Sequence, residues 1–469
     1  MKTRPRFLAA TLLLMSPALH ATIFTWDGGT GFSEEWTVAG NWLADVAPPS
    51  DGTADIVFSG TDGLSPNANL DWNIRSIAFA GGAASFGVHG NVLTVGAGGI
   101  TNGDDSVQTI ENDIILSAAQ TFSTASTGSM AVNGSINTNG RVLTIAAATD
   151  FITLGGAITG SGGLAVSGSN SLVLTGGASN TYTGGTTING PVVLAKTGGA
   201  LAIPGAIIIG NGAATASLAI GFDEQIGNSS SITVSAGSGV SLGNGVTETI
   251  GALALAGTAQ VNNGTLNVGT ISMFGGTITT GSVGKVVLSG EITAVSAGLQ
   301  RSVISGNLNL GGSTRTITVV DGLASTELEI QASVSNGSLV KEGAGGLLLK
   351  GPQNYASLLV HAGTTDLETP LGTGSASVSV SPVTGEATVN FLASQYLSAL
   401  TIESGGIVTL TDLTGSSDFD GTGAHPMDIG EFTALPIAQG IAVQNVPEPT
   451  AGVLVITSLA AVFAGRRRK

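Results

Sequence analysis

The sequence predicts an all-β fold whose body winds as a parallel β-helix, a β-solenoid, and three observations predict it. Short runs of β-branched and aliphatic residues recur between Gly, Asn and Ser from about residue 85 to residue 415. Glycine supplies 72 of the 469 residues, about twice its average share of ~7%. Amphipathic helical periodicity is missing almost everywhere between the two ends.

The runs can be read in order. Val92-Leu93-Thr94-Val95 precedes Gly96, Val142-Leu143-Thr144-Ile145 follows, and Phe151-Ile152-Thr153-Leu154 precedes Gly155-Gly156. Later come Ile207-Ile208-Ile209 before Gly210, then Ser231-Ile232-Thr233-Val234 and Thr316-Ile317-Thr318-Val319. Strands this short, separated by a few turn residues, suit coils that pair with the coil above and the coil below. A sandwich would space its strands and turns more widely. Glycine fits corners that need positive φ or close backbone approach, and Asn tolerates the left-handed region. Pairing on both edges also satisfies backbone groups in a chain with no cysteine.

Before this body, Trp26, Trp36 and Trp42 cluster in one segment, with Trp72 soon after. The open first coil of a solenoid needs covering, so residues 22–84 read as a tryptophan-rich cap over a solenoid body at 85–414. A sugar-stacking platform is the alternative use of those rings. From about Thr411 the strand grammar fades, and 415–446 reads as a linker.

The two ends carry targeting chemistry. Lys2, Arg4 and Arg6 precede the apolar run Phe7 to Met15, and Ala21 marks the expected cleavage point of a signal peptide, residues 1–21, which enters the export channel as a helix. At the other end, residues 447–469 run Pro447-Glu448-Pro449, then Ala451 to Gly465 without a charge, then Arg466-Arg467-Arg468-Lys469. A spanning helix needs about 20 apolar residues. This stretch is shorter, so a single membrane helix here leans on snorkelling of its arginines. The four cations hold their end in the cytoplasm. Everything between the two ends is then expected outside the inner membrane, at the cell surface or beyond.

The ordered tail resembles the PEP-CTERM sorting signal. That resemblance implies recognition by an exosortase-type membrane protease, with Pro447, Glu448 and Pro449 as the motif and Arg466 to Lys469 setting orientation. Within the body, Gly163-Leu164 through Leu172-Val173-Leu174-Thr175-Gly176 lines up with Ser338-Leu339 through Leu347-Leu348-Leu349-Lys350-Gly351. The first copy continues Asn180-Thr181-Tyr182-Thr183-Gly184-Gly185-Thr186-Thr187-Ile188; the second continues Asn354-Tyr355 and lacks the Thr-Gly-Gly-Thr turn. Both copies are similar to the autotransporter-associated β-strand repeat, which implies a right-handed winding and a surface protein. No strand set long enough for a translocator barrel follows.

Charge narrows the partners. Residues 22–465 hold 8 of the 15 Lys and Arg and all 31 acids, a net charge near −23. Such a body repels nucleic-acid phosphates, so nucleic acid is excluded as a partner, and the thin supply of cations argues against cleavage of acidic polysaccharide. No metalloprotease, serine-hydrolase or phosphate-loop motif occurs. His89 reads as a turn residue, His361 as an outward residue at a strand end, and His425 as a loop residue. The acid pairs Glu34-Glu35, Asp104-Asp105 and Asp223-Glu224 fall in turn-like segments. Asp418-Phe419-Asp420-Gly421 has a calcium-loop flavour, but Ile429 stands where such a loop needs its last acid. The expectation is a non-enzymatic exported structural protein without cofactor or metal, associated with extracellular polysaccharide. A polysaccharide-active or polysaccharide-binding β-helix is the first alternative, and an adhesin the second.

Overall fold

A computed structural model of the chain describes residues 21–211, 216–369, 376–393, 395, 397–411 and 453–457. Between Thr22 and Thr411 the chain forms a parallel β-solenoid of about 16 turns. A typical coil carries three short strands. Met130–Val132, Ile136–Asn137 and Leu143–Ala147 stack in parallel on Ile152–Leu154, Ile158–Thr159 and Leu164–Ser167 of the next coil. Some strands bend round a corner: Leu93–Asn102 pairs with both Ile114–Leu116 and Gln120–Thr124. Beyond the first coil, register partners lie between 18 residues apart (Leu349 and Leu367) and 26 apart (Ile278 and Ile304).

Alternation explains why these sequences make these strands. Successive side chains on a strand point to opposite faces, and here one set fills the interior. Met130, Ile152, Leu172, Val192 and Leu218 are register partners in consecutive coils, and all are buried. The column continues through Val240, Ala259, Ile278, Ile304, Ile330, Leu349 and Leu367. Truncating a Leu, Ile or Met of this column to Ala costs about 2–5 kcal/mol.

Corners are set by backbone approach. A Cβ on Gly162 would run into the carbonyl of Arg141 in the preceding coil, and one on Gly156 into that of Gly134. Only glycine lets the chain pass there.

Stacking begins at Thr22–Trp26, which pairs in parallel with Ala54–Phe58, itself paired with Trp72–Phe79. Residues 22–84 therefore supply coils as well as the tryptophan cluster. Their one helical turn is the 3₁₀ segment Ala39–Asn41. Residues 1–20, the expected signal helix, lie outside the described residues. Of the tail, Val453–Thr457 is described as a strand antiparallel to Gly406–Thr411, where a membrane helix was expected. The last coil offers unpaired N–H and C=O groups along its edge, and a run rich in β-branched residues suits that pairing. No helix among the described residues is long and apolar enough to cross a membrane.

Candidate functional site

Ala21 is exposed and directly precedes the first strand. Pro447, Glu448, Pro449 and Arg466 to Lys469 lie outside the described residues, as do His425 and the Asp418 segment. The remaining candidates fall within the solenoid and can be judged by geometry.

The tryptophans form one packed cluster. Trp26 meets Trp42 edge-on at 5.1 Å between ring centroids, Trp42 meets Trp36 at 5.8 Å, and Trp36 meets Trp72 at 5.4 Å. Phe58 joins Trp26 and Trp36 and stacks on Phe79. All four indoles are at most 5 % exposed. These rings seal the first coils and offer no face to a sugar.

His361 lies outward just beyond Ser357–Val360, and Nδ1 is 2.6 Å from Oε1 of Glu342 in the preceding coil. Parallel register makes this a column, because Glu342, His361, Ser381 and Glu403 directly follow the partners Lys341, Val360, Val380 and Ile402. A carboxylate, an imidazole and a hydroxyl thus sit on consecutive coils. The Ser381 hydroxyl, however, donates to Glu403 at 2.5 Å. In a Ser–His pair the hydroxyl bonds to the imidazole, and here it bonds to Glu403 while His361 bonds to Glu342. His89 stands inside the strand Gly87–Gly90 rather than in a turn, and Ser65 and the Gly87 carbonyl are its neighbours at 3.4 and 3.3 Å.

The pairs Asp104-Asp105 and Asp223-Glu224 tie their turns to neighbouring coils. Asp104 accepts from the N–H groups of Gly82 and Ser106, and Asp105 accepts from the hydroxyls of Ser126 and Thr127. Those hydroxyl bonds hold the Asp105 carboxyl below its usual range. Asp223 accepts from the N–H of Thr247, and Glu224 from the hydroxyl of Thr249. Among the described residues no three His, Asp or Glu side chains converge as metal ligands.

Lys196, Lys341 and Glu248 are fully buried ionisable residues outside the expected site residues. Lys196 is fully buried, and its Nζ donates to the carbonyls of Thr175 at 2.9 Å and Ala178 at 2.8 Å, with Gly156 at 3.3 Å. Lys341 does the same with Gly343 at 2.7 Å, Ala362 at 3.0 Å and Glu342 at 3.1 Å. Burial pushes both ammonium groups down to about 8. Glu248 accepts from the N–H groups of Gln225 and Ile226, and burial pushes its carboxyl up to about 8. Each ties together turns of neighbouring coils that would otherwise bury unpaired backbone groups.

These lysines also change the count of surface cations. Of eight in the body, two are inside, and Arg75, Arg301 and Lys350 pair with Asp55, Glu329 and Glu368. Arg315 donates to the carbonyls of Leu310 and Ser289. That leaves Arg141 and Lys285, on different coils, which is too few to line a cleft for an anionic sugar.

The repeat copies differ as their sequences do. Asn180 is buried and bridges three coils, accepting from the N–H of Ile158 and donating to the carbonyl of Ala202. In the second copy the buried amide two residues before the tyrosine is Gln353, while Asn354 is exposed. The Tyr182 hydroxyl meets Thr186 Oγ1 at 2.7 Å; the buried Tyr355 hydroxyl has no partner among the described residues. No protein-family model, curated protein or solved structure matches this chain.

Proposed function

We propose that this is a non-enzymatic exported structural protein of the cell surface or extracellular matrix, sorted and cleaved at its tail by an exosortase-type protease. The observation that carries the reading is the order Pro447-Glu448-Pro449, an uncharged apolar run, then Arg466 to Lys469. Before cleavage the apolar run would sit in the inner membrane as a helix, with the arginines inside. That helix and the strand Val453–Thr457 use the same residues, so the tail leaves the coil edge when it enters the bilayer.

The body supports the reading in three ways. A rod of stacked coils with its polar side chains spent on turns suits a scaffold or spacer. Its acidic, cysteine-free composition suits an oxidising exterior where no disulfide is needed. Exposed Ala21 directly precedes the first strand, so a cut after it leaves Thr22–Trp26 whole. The winding is taken as right-handed, as in the repeats it resembles.

Intact-mass measurement of the protein recovered from producing cells tests this. The mature form should begin at or near Thr22 and lack residues 451–469. Recovery of full-length tail on the extracellular protein refutes the processing.

A further inference from the structure

The tryptophan cluster supports a loop whose outer surface has no structural use. Residues 28–34 and the turn at 62–63 border an open hollow of about 600 Å³, lined by Gly28, Gly31, Phe32, Glu34, Asp62 and Gly63 among others. Phe32 is fully exposed, a state that leaves a large apolar ring in water. It is not exposed for want of order around it. Asp27 and Gly28 donate their N–H groups to the Asn41 carbonyl at 3.0 and 3.2 Å. Buried Asn41 accepts from the Thr30 hydroxyl at 2.6 Å and donates to the carbonyl of Ser33 at 2.7 Å. Across the hollow, the buried Trp26 indole donates to the Gly63 carbonyl at 2.9 Å. A Cβ on Gly28 would sit 2.8 Å from the backbone of Asp62 and Gly63, so glycine is required where the two loops meet.

We infer that this hollow binds an uncharged sugar ring of a polysaccharide, stacked on Phe32 with its hydroxyls held by Asp62 and Glu34. The apolar C–H face of a pyranose matches an exposed aromatic ring, and hydroxyls are the donors that carboxylates accept. Asp62 accepts no hydrogen bond from a described residue, and Glu34 accepts one, from the N–H of Ser65 at 3.4 Å, so their oxygens are available. No cation lines the hollow, and a body near −23 repels an anionic chain. A purely apolar ligand would strip water from both carboxylates without replacing it. The pinned loops mean little ordering is needed on binding. This inference rests on an extracellular location but not on tail processing, so the two can fail separately.

Affinity electrophoresis of the full protein in gels containing dextran, laminarin, xyloglucan, chitosan or alginate tests it. Retardation is expected in at least one neutral glucan gel. Phe32→Ala should weaken it tenfold or more and Asp62→Asn several-fold, while Phe32→Trp retains it and Phe222→Ala, at an exposed aromatic elsewhere, leaves it unchanged. Thermal midpoints of the Phe32 and Asp62 variants should match the parent, since Phe32 is fully exposed and Asp62 accepts no hydrogen bond from a described residue. The inference is overturned by migration unaffected in every neutral gel, by retardation confined to alginate or chitosan, or by Phe32→Ala binding as the parent does.

Discussion

Removing one oxygen atom from each of the two equivalent tyrosines should move stability in opposite directions. Tyr182 and Tyr355 are both buried, each two residues after a buried amide. Burial pushes the phenol of Tyr182 up to about 12 and that of Tyr355 up as well, so both are neutral hydroxyls at ordinary pH. In Tyr182→Phe the bond to Thr186 is lost and the Thr186 hydroxyl, itself 2 % exposed, stays buried without a partner. An orphaned buried group costs about 1–3 kcal/mol. In Tyr355→Phe the oxygen removed is one already without a partner, so relief of a similar desolvation penalty, about 1 kcal/mol or more, is expected. A stacked array need not unfold in one step, so a local assay is required. Hydrogen exchange at the amides of Thr186–Ile188 and Ser357–Val360 supplies it. Exchange through local opening should speed by about tenfold around the first variant and slow by a comparable factor around the second, since 1.4 kcal/mol is a factor of ten. Faster exchange around Tyr355→Phe would refute the reasoning, because it would mean that hydroxyl is bonded.

Further outcomes follow from the interior. The folded Glu248 carboxyl lies at about 8 against an ordinary 4.5, so its contribution is present below pH 4.5 and lost as pH rises to 8. Thermal midpoints of Glu248→Gln relative to the parent should therefore rise between pH 5 and 8. Lys196 and Lys341 are depressed to about 8 from 10.5, so the parent should regain stability between pH 8 and 10.5, and Lys196→Met with Lys341→Met should flatten that limb. Lys341→Met alone strands the carbonyls of Gly343, Ala362 and Glu342. Urea titration at pH 7 should show it destabilised by about 1–3 kcal/mol. Gly162→Ala drives a methyl group into the Arg141 carbonyl; limited proteolysis should then cut near residues 139–163 at least ten times faster than in the parent.

Local grammar in the sequence was sufficient for the fold, because a coil is defined by contacts with its immediate neighbours and each strand shows its period-2 pattern. Parity along single strands could also have revealed the buried lysines. Val192, Leu194 and Lys196 share one parity, as do Leu339 and Lys341, and in both the inward set ends on the cation. Gly28 and Asp62, or His361 and Glu342, were not legible, because coil lengths vary and only the register brings residues some twenty or thirty positions apart side by side. Nor did the sequence distinguish the neighbouring amides Gln353 and Asn354, of which the register buries Gln353. The start of stacking at Thr22 was hidden because the partners Thr22 and Ala54 of the first coil lie 32 positions apart, well beyond the spacing of the rest.

That tolerance of coil length has an evolutionary and mechanical meaning. Each coil keeps its inward pattern while its loops shorten or lengthen, so a coil duplicated or deleted leaves the contacts of all distant coils intact. The body behaves as a ruler graduated in steps of about 4.8 Å. Its 16 turns reach about 75 Å, and selection can adjust how far one end stands from the other without redesigning a core.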